Sequence, residues 1–260
     1  MSMKKTFKFA SLVFVISLAG GDSSFLKAAH EQVVLPAQVW SFDGPFGTFD
    51  KAQLQRGFQV YKEVCSACHS MKLLSYRNLS ALGFSEAEIK AIARQNSVPG
   101  APNDAGDVVD RPALPSDRFR SPYPNEQAAR AANNGALPVD MSLIASARKG
   151  GADYIHALMM GYEAAPADMK IAEGMHYNKY FAGHQIAMTA PLSEGQVTYA
   201  DGTPTSVDQM ASDVAAFLYW AANPHMEQRK RVGVMVMVYM LIFTALLYMT
   251  MKRIWSRVDH

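Results

Sequence analysis

The chain has two cysteines, and they stand three residues apart in Cys65-Ser66-Ala67-Cys68-His69. A Cys-x-x-Cys-His run is an attachment site for a c-type haem. On a helical turn residues i and i+3 point the same way, so both thiols reach the two haem vinyl groups. The histidine directly after them is then held beneath the iron as proximal ligand. The chain must therefore fold around one covalently bound haem c. Other uses of a thiol pair fit less well. A thioredoxin-like redox pair needs a βαβ setting that the pattern lacks, and a zinc site needs four ligands, whereas no second Cys pair exists and the other histidines are scattered. A disulfide across two intervening residues would close a negligible loop.

At 260 residues the chain makes one generous domain or two small ones. An apolar share of 49% and a net charge of +2 exclude intrinsic disorder. The near-neutral total hides a polarised distribution. Residues 1–29 hold four Lys and one acid, and 228–260 hold six Lys/Arg and one acid. Removing these ends from totals of 25 basic and 23 acidic residues leaves 15 basic against 21 acidic residues in 30–227. An acidic body argues against nucleic acid and suits a basic partner as well as it suits plain solubility.

The ends read as targeting and anchoring devices. Lys4, Lys5 and Lys8 precede an apolar run from Phe9 to Ala19 and then Gly20-Gly21. This describes a secretory signal peptide over 1–21, with cleavage as late as 29, and the run is too short to span a bilayer. Val232 to Met251, by contrast, is twenty residues without a charge. As a helix it would be about 30 Å long, the thickness of a hydrocarbon core. Basic residues bracket it on both sides, so charge does not set its orientation. The signal peptide does: 30–227 is expected in the periplasm, 228–252 as a transmembrane anchor, and 253–260 in the cytoplasm.

Between the ends the local signals are helical. Asp50 to Val64 places Leu54, Phe58, Tyr61 and Val64 at helical spacing. Ser85-Glu86-Ala87-Glu88 is a capping box, and Ser206-Val207-Asp208-Gln209 reads as a second, followed by Met210, Val214, Phe217 and Leu218 on one face. Asn125 is a cap for the alanine-rich stretch to Ala132, and Asp140 a cap for a helix from Met141 to Lys149, stopped by Gly150-Gly151. Residues 95–124 and 163–205 show no period, and no strand-type alternation of any length is present. The fold class is mainly α: a c-type cytochrome haem domain with long structured loops, plus one C-terminal transmembrane helix.

The second axial position decides between electron transfer and ligand chemistry. Among 16 Met, those in the anchor and on helix faces pack apolar surface. Met188 lies in a loop that Pro191 stiffens, and Met169, Met175 and His184 remain alternatives.

Several segments carry a more specific signal. They are Arg56 to Tyr61 leading into the haem motif, Pro122-Tyr123-Pro124-Asn125, Ala128 to Pro138, and Ala147 to Tyr154. Ile186-Ala187-Met188, Asp213-Val214, Trp220 to Pro224 and Gln228 to Arg231 before the apolar run complete them. In these the chain resembles the cytochrome c1 family, bacterial type, the haem subunits of ubiquinol–cytochrome c reductase. The resemblance implies Met188 as the axial methionine, with Arg148 and Tyr154 near the haem propionates. It implies cytochrome b and Rieske iron–sulfur subunits as partners, and a soluble or membrane-tethered cytochrome c as electron acceptor. The chain would be an electron relay in a bacterial inner membrane, embedded in lipid, and not an enzyme by itself. Asp104, Asp107, Asp110 and Asp117 are candidates for steering a basic carrier. Some bacterial members carry an extra cysteine pair before the methionine loop, which this chain lacks. A membrane-anchored mono-haem sensor and the cytochrome subunit of a periplasmic dehydrogenase are the alternative functions.

Overall fold

A computed structural model describes residues 33–257; the expected signal peptide lies outside the described residues. Two long helices organise the core. α1 (Lys51–Glu63) starts where the Asp50 carboxylate accepts hydrogen bonds from Ala52 N and Gln53 N, satisfying two orphan donors of the first turn. It buries Leu54, Phe58 and Tyr61, as the spacing predicts, and Val60 besides, while Val64 closes the helix half-buried against the core. α6 (Val207–Ala222) crosses it, burying Met210, Val214, Phe217 and Leu218. The crossing is backbone-close: a Cβ on Gly57 would lie 2.0 Å from the Asp213 carbonyl oxygen, so only glycine fits. Beside it, Phe58, Tyr61 and Phe217 pack at 5.7–5.8 Å between ring centres, with Phe119 covering them.

A buried ion pair ties the same crossing together. Arg56 Nε donates to Asp213 Oδ2 at 3.0 Å, and Gln209 donates to the other carboxylate oxygen at 2.9 Å. Asp213 is fully buried, and burial pushes its carboxyl up against the pull of these donors. This explains a departure from expectation at the start of α6. Ser206 caps Gln209 N, but the Gln209 side chain turns inward to Asp213 instead of back to the cap, so the box is half made.

The shorter helices are α2 (Glu86–Arg94), α3 (Glu126–Ala132), α4 (Ile144–Ala147) and α5 (Ala152–Met160). The Ser85–Glu88 box on α2 and the Asn125 cap on α3 form as expected. The helix expected over Met141–Lys149 shrinks to the single turn of α4, whose N-cap is Leu143; the Asp140 carboxylate meets Ser142 N ahead of that turn and is otherwise engaged by Ser70 and Lys72.

Strands β1 (Ser97–Pro102) and β2 (Val108–Pro112) form an antiparallel hairpin inside the stretch read as aperiodic. Both are mostly exposed and carry Pro or Gly, so no core-facing alternation marked them. β3 (His176–Tyr177) and β4 (Gln185–Ile186) make a second, two-residue ladder. α7 (Met226–Trp255) contains the apolar run and is long and apolar enough to cross a membrane. Its first turns are bonded to the head: Lys230 Nζ donates to the carbonyls of Phe42 (2.6 Å) and Gly47 (3.2 Å), and Glu227 accepts from Phe49 N at 2.7 Å.

Candidate haem site

α1 delivers the cysteine motif. After Val64 the chain tightens into a 3-10 turn over Cys65–Ala67, closed by Cys68 N and His69 N both donating to the Cys65 carbonyl at 3.1 and 2.9 Å. A 3-10 helix has three residues per turn, so i and i+3 eclipse, and the two thiols share a side more closely than in an α-helix. Both are free thiols; Cys68 is exposed, while Cys65 packs half-buried on the core. Burial, with Cys68 adding to it, pushes the Cys65 thiol up to about 12.

The histidine is oriented from behind. His69 Nδ1 lies 2.8 Å from the Val139 carbonyl, which can only accept, so Nδ1 carries the proton and the lone pair is on Nε2. Burial keeps the imidazole below its ordinary pKa, against the opposing Val139 bond, so it is neutral as an iron ligand must be. Holding the second ring nitrogen on a carbonyl is how protein metal sites fix a histidine's tautomer and direction.

Asp140 reinforces that clamp. Oδ2 accepts from Ser70 Oγ (2.7 Å) and Lys72 N (2.9 Å), and Oδ1 accepts from Ser142 N (2.9 Å). Met141 N donates to the Ser70 carbonyl at 2.8 Å, and Leu73 N donates to Ser142 Oγ at 3.0 Å. Segments 69–73 and 139–142 are thus zipped together. Sequence reasoning had assigned Asp140 to a helix cap and had no role for Val139; nothing local marks a carbonyl that meets a side chain seventy residues away.

The other candidates lie at the end of α4, on α5 and in the long loop after it. Gly150 and Gly151, both at positive φ, turn the chain from α4 into α5. Arg148 stands before that turn, exposed, its guanidinium bonded, among the described residues, to the Ala147 carbonyl at 3.4 Å. Tyr154 is half-buried in the first turn of α5, close enough to Tyr162 to help burial push that phenol up. The Tyr162 hydroxyl in turn donates to the Met188 carbonyl at 3.1 Å. Tyr154, Tyr162 and Met188 therefore form one neighbourhood and Cys65, Cys68 and His69 another. No hydrogen bond among the described residues joins the two. Met169 and Met175 are also half-buried in the loop, and His184 stacks on Tyr177. The donor set fits a c-type haem: two unpaired thiols on one turn, a neutral imidazole with Nε2 available, and thioethers in a partly buried loop.

The model of the cytochrome C1 family matches residues 40–258. The chain belongs to the cytochrome c1 family. It is 46% identical to the cytochrome c1 of Rhodospirillum rubrum over 99% of this chain and 98% of that protein. It is 48% identical to cytochrome b/c1 of Bradyrhizobium diazoefficiens over 85% of this chain, spanning 35% of that longer protein. With the mitochondrial cytochrome c1-2 haem protein of Solanum tuberosum it shares 48% identity over 79% of each chain. As a cytochrome c1 the chain carries one covalent haem c and serves electron transport.

Of the four aspartates suggested for carrier docking, Asp117 is committed elsewhere. It takes a two-pronged bond from Arg111 at 2.6 and 2.9 Å and caps Leu114 N, and these donors hold its carboxyl below the ordinary range. Asp104, Asp107 and Asp110 remain exposed on the hairpin.

Proposed function

We propose that the chain is the one-electron carrier subunit of a ubiquinol–cytochrome c reductase, taking electrons from a Rieske iron–sulfur subunit and passing them to a cytochrome c, soluble or membrane-tethered. The observation that carries this reading is the Cys65–His69 turn with its imidazole fixed through Val139. When bound, the haem supplies a centre that gains and loses one electron without making or breaking substrate bonds. Cys65 and Cys68 would hold it as thioethers. His69 Nε2 and the Met188 thioether would be the iron's protein ligands, a pairing that raises the potential. Arg148 and Tyr154 would serve the propionates; among the described residues Arg148 makes no ion pair, and Tyr154 adjoins the residue that holds the Met188 backbone.

The relative named cytochrome b/c1, of which this chain matches 35%, supports cytochrome b as a partner. In the full arrangement 1–21 (or up to 29) is a signal peptide, 30–227 lies in the periplasm, 228–252 spans the bacterial inner membrane and 253–260 is cytoplasmic. Purification of the tagged chain from native membranes tests the assignment. Cytochrome b haems and an iron–sulfur signal should accompany it, with quinol-dependent reduction of cytochrome c. A haem-loaded chain that leaves the membrane alone would favour the sensor or the dehydrogenase subunit.

A further inference from the structure

We propose that Asn178 and Tyr162 are positioning residues that hold the Met188 loop in its ligating place, an inference that rests on Met188 being the sixth ligand. Residues 163–205 include no helix of their own, and both cysteines are consumed by the haem motif, so no disulfide can restrain them. Their far end is anchored by Leu192, Val197 and Tyr199 in the core and by Asp201 on Arg56, but the part ahead of Met188 is tied to α5 by a side-chain amide. Asn178 is fully buried at the end of β3. Its Nδ2 donates to the Leu158 carbonyl on the last turn of α5 at 2.8 Å, and its Oδ1 accepts from Tyr180 N and Phe181 N at 3.0 and 3.2 Å. Its backbone N donates to the His184 carbonyl at 3.0 Å, closing the turn that leads back into β4. One residue therefore ties the loop to a helix and fixes the turn between two strands. Met188 follows β4 by two residues.

The surroundings are shaped for that amide. A Cβ on Gly161 would lie 2.6 Å from Asn178 Oδ1, so the glycine admits it. Asn178 uses one donor and two accepting directions of its amide, and a buried amide left without partners is strongly disfavoured, so the turn has little freedom to rearrange. The second point of attachment falls on the ligand residue itself, where the Tyr162 hydroxyl meets the Met188 carbonyl. Tyr162 and Asn178 are bridged through their backbones, so both restraints originate from one place beside α5.

The test uses the full-length, haem-loaded chain and reads the ferric far-red charge-transfer band of Met–iron ligation, the midpoint potential and carbon monoxide binding. Tyr162→Phe removes one hydroxyl, and Asn178→Ala removes the amide. Both should retain covalent haem, weaken the far-red band and bind carbon monoxide. The ferrous form should be disfavoured by at least about tenfold, a fall of about 59 mV. Asn223→Ala, which deletes an amide bonded to Ser146 at the far end of α6, should leave all three readings unchanged. If Met188→Leu lowers the potential while Tyr162→Phe and Asn178→Ala do not, the positioning role is wrong and the ligand assignment stands. If Met188→Leu itself leaves the potential unmoved, the ligand assignment fails. An equal shift in Asn223→Ala would also overturn the proposal, by showing a general loss of stability. Should Asn178→Ala fail to load haem, Tyr162→Phe decides.

Discussion

The two neighbourhoods proposed to hold the haem are built on different principles. On the His69 side, residues 69–73 are laced to 139–142 by backbone and carboxylate bonds directly under the aromatic core. Around Met188, the loop with its two-residue strands meets α5 through Asn178 and Tyr162 and returns to the core at Leu192. The first side is over-determined, and losing one bond leaves several. The second is held at a few points, so a small change there should move redox behaviour before it moves stability.

The largest effect tests whether the first side is the covalent one. Cys65→Ala with Cys68→Ala should abolish covalent haem on stained denaturing gels, and His69→Ala should remove the proximal ligand. Undiminished stain in the double variant would end the c-type assignment.

Next, Met188→Leu keeps volume and apolarity, so its folding cost should stay below about 1.5 kcal/mol. Covalent haem should persist while the midpoint potential falls and quinol-dependent cytochrome c reduction is lost. Met169→Leu and Met175→Leu should behave as wild type in potentiometry. The reverse pattern would move the ligand along the loop.

Asp140 offers the opposite signature, stability without redox. Asp140→Ala strips acceptors from Ser70, Lys72 and Ser142 and should cost about 1–3 kcal/mol in thermal unfolding, with a small change in potential. Burial pushes this carboxyl up, but the donors from Ser142, Lys72 and Ser70 outweigh it and hold it below the usual aspartate value. An acid with a lowered folded pKa stabilises fully above its unfolded value, about pH 4, and that contribution drains as pH falls through the folded value. Asp140→Asn should therefore flatten the acid limb of the melting curve.

The smallest effect concerns the anchor. Truncation after either Met226 or Arg231 should release a soluble haem domain. The longer form keeps Glu227 and Lys230 on the 42–49 segment and should melt higher, by about 1 kcal/mol of stability. Equal melting would show that these bonds do not hold the head.

What the sequence discloses follows the range of the interaction. The haem turn, the Ser85 and Asn125 caps, the buried face of α6 and the apolar run are all set within a few residues. They are readable from spacing alone. Asp140 was misread because its chemistry suits a cap equally well, and only the fold brings Ser70 and Lys72 within its reach. Asp213 sits among apolar neighbours on α6 and pairs with Arg56, 157 positions earlier, which no local pattern encodes. The β1–β2 hairpin escaped because a strand exposed on both faces has no hydrophobic rhythm. Asn178 carries no signal at all beyond being an asparagine in a loop.

The bonds from Lys230 and Glu227 to the 42–49 segment have a mechanical meaning. α6 passes into α7 within four residues, and the first turns of α7 are bolted to the head at three further points. These bonds brace the joint. With α7 seated in a bilayer, the head is a bracket on a post, and its redox centre keeps one height and one bearing relative to anything fixed in the same membrane. Electron tunnelling weakens steeply with separation, so such a mount keeps every fixed-partner distance constant.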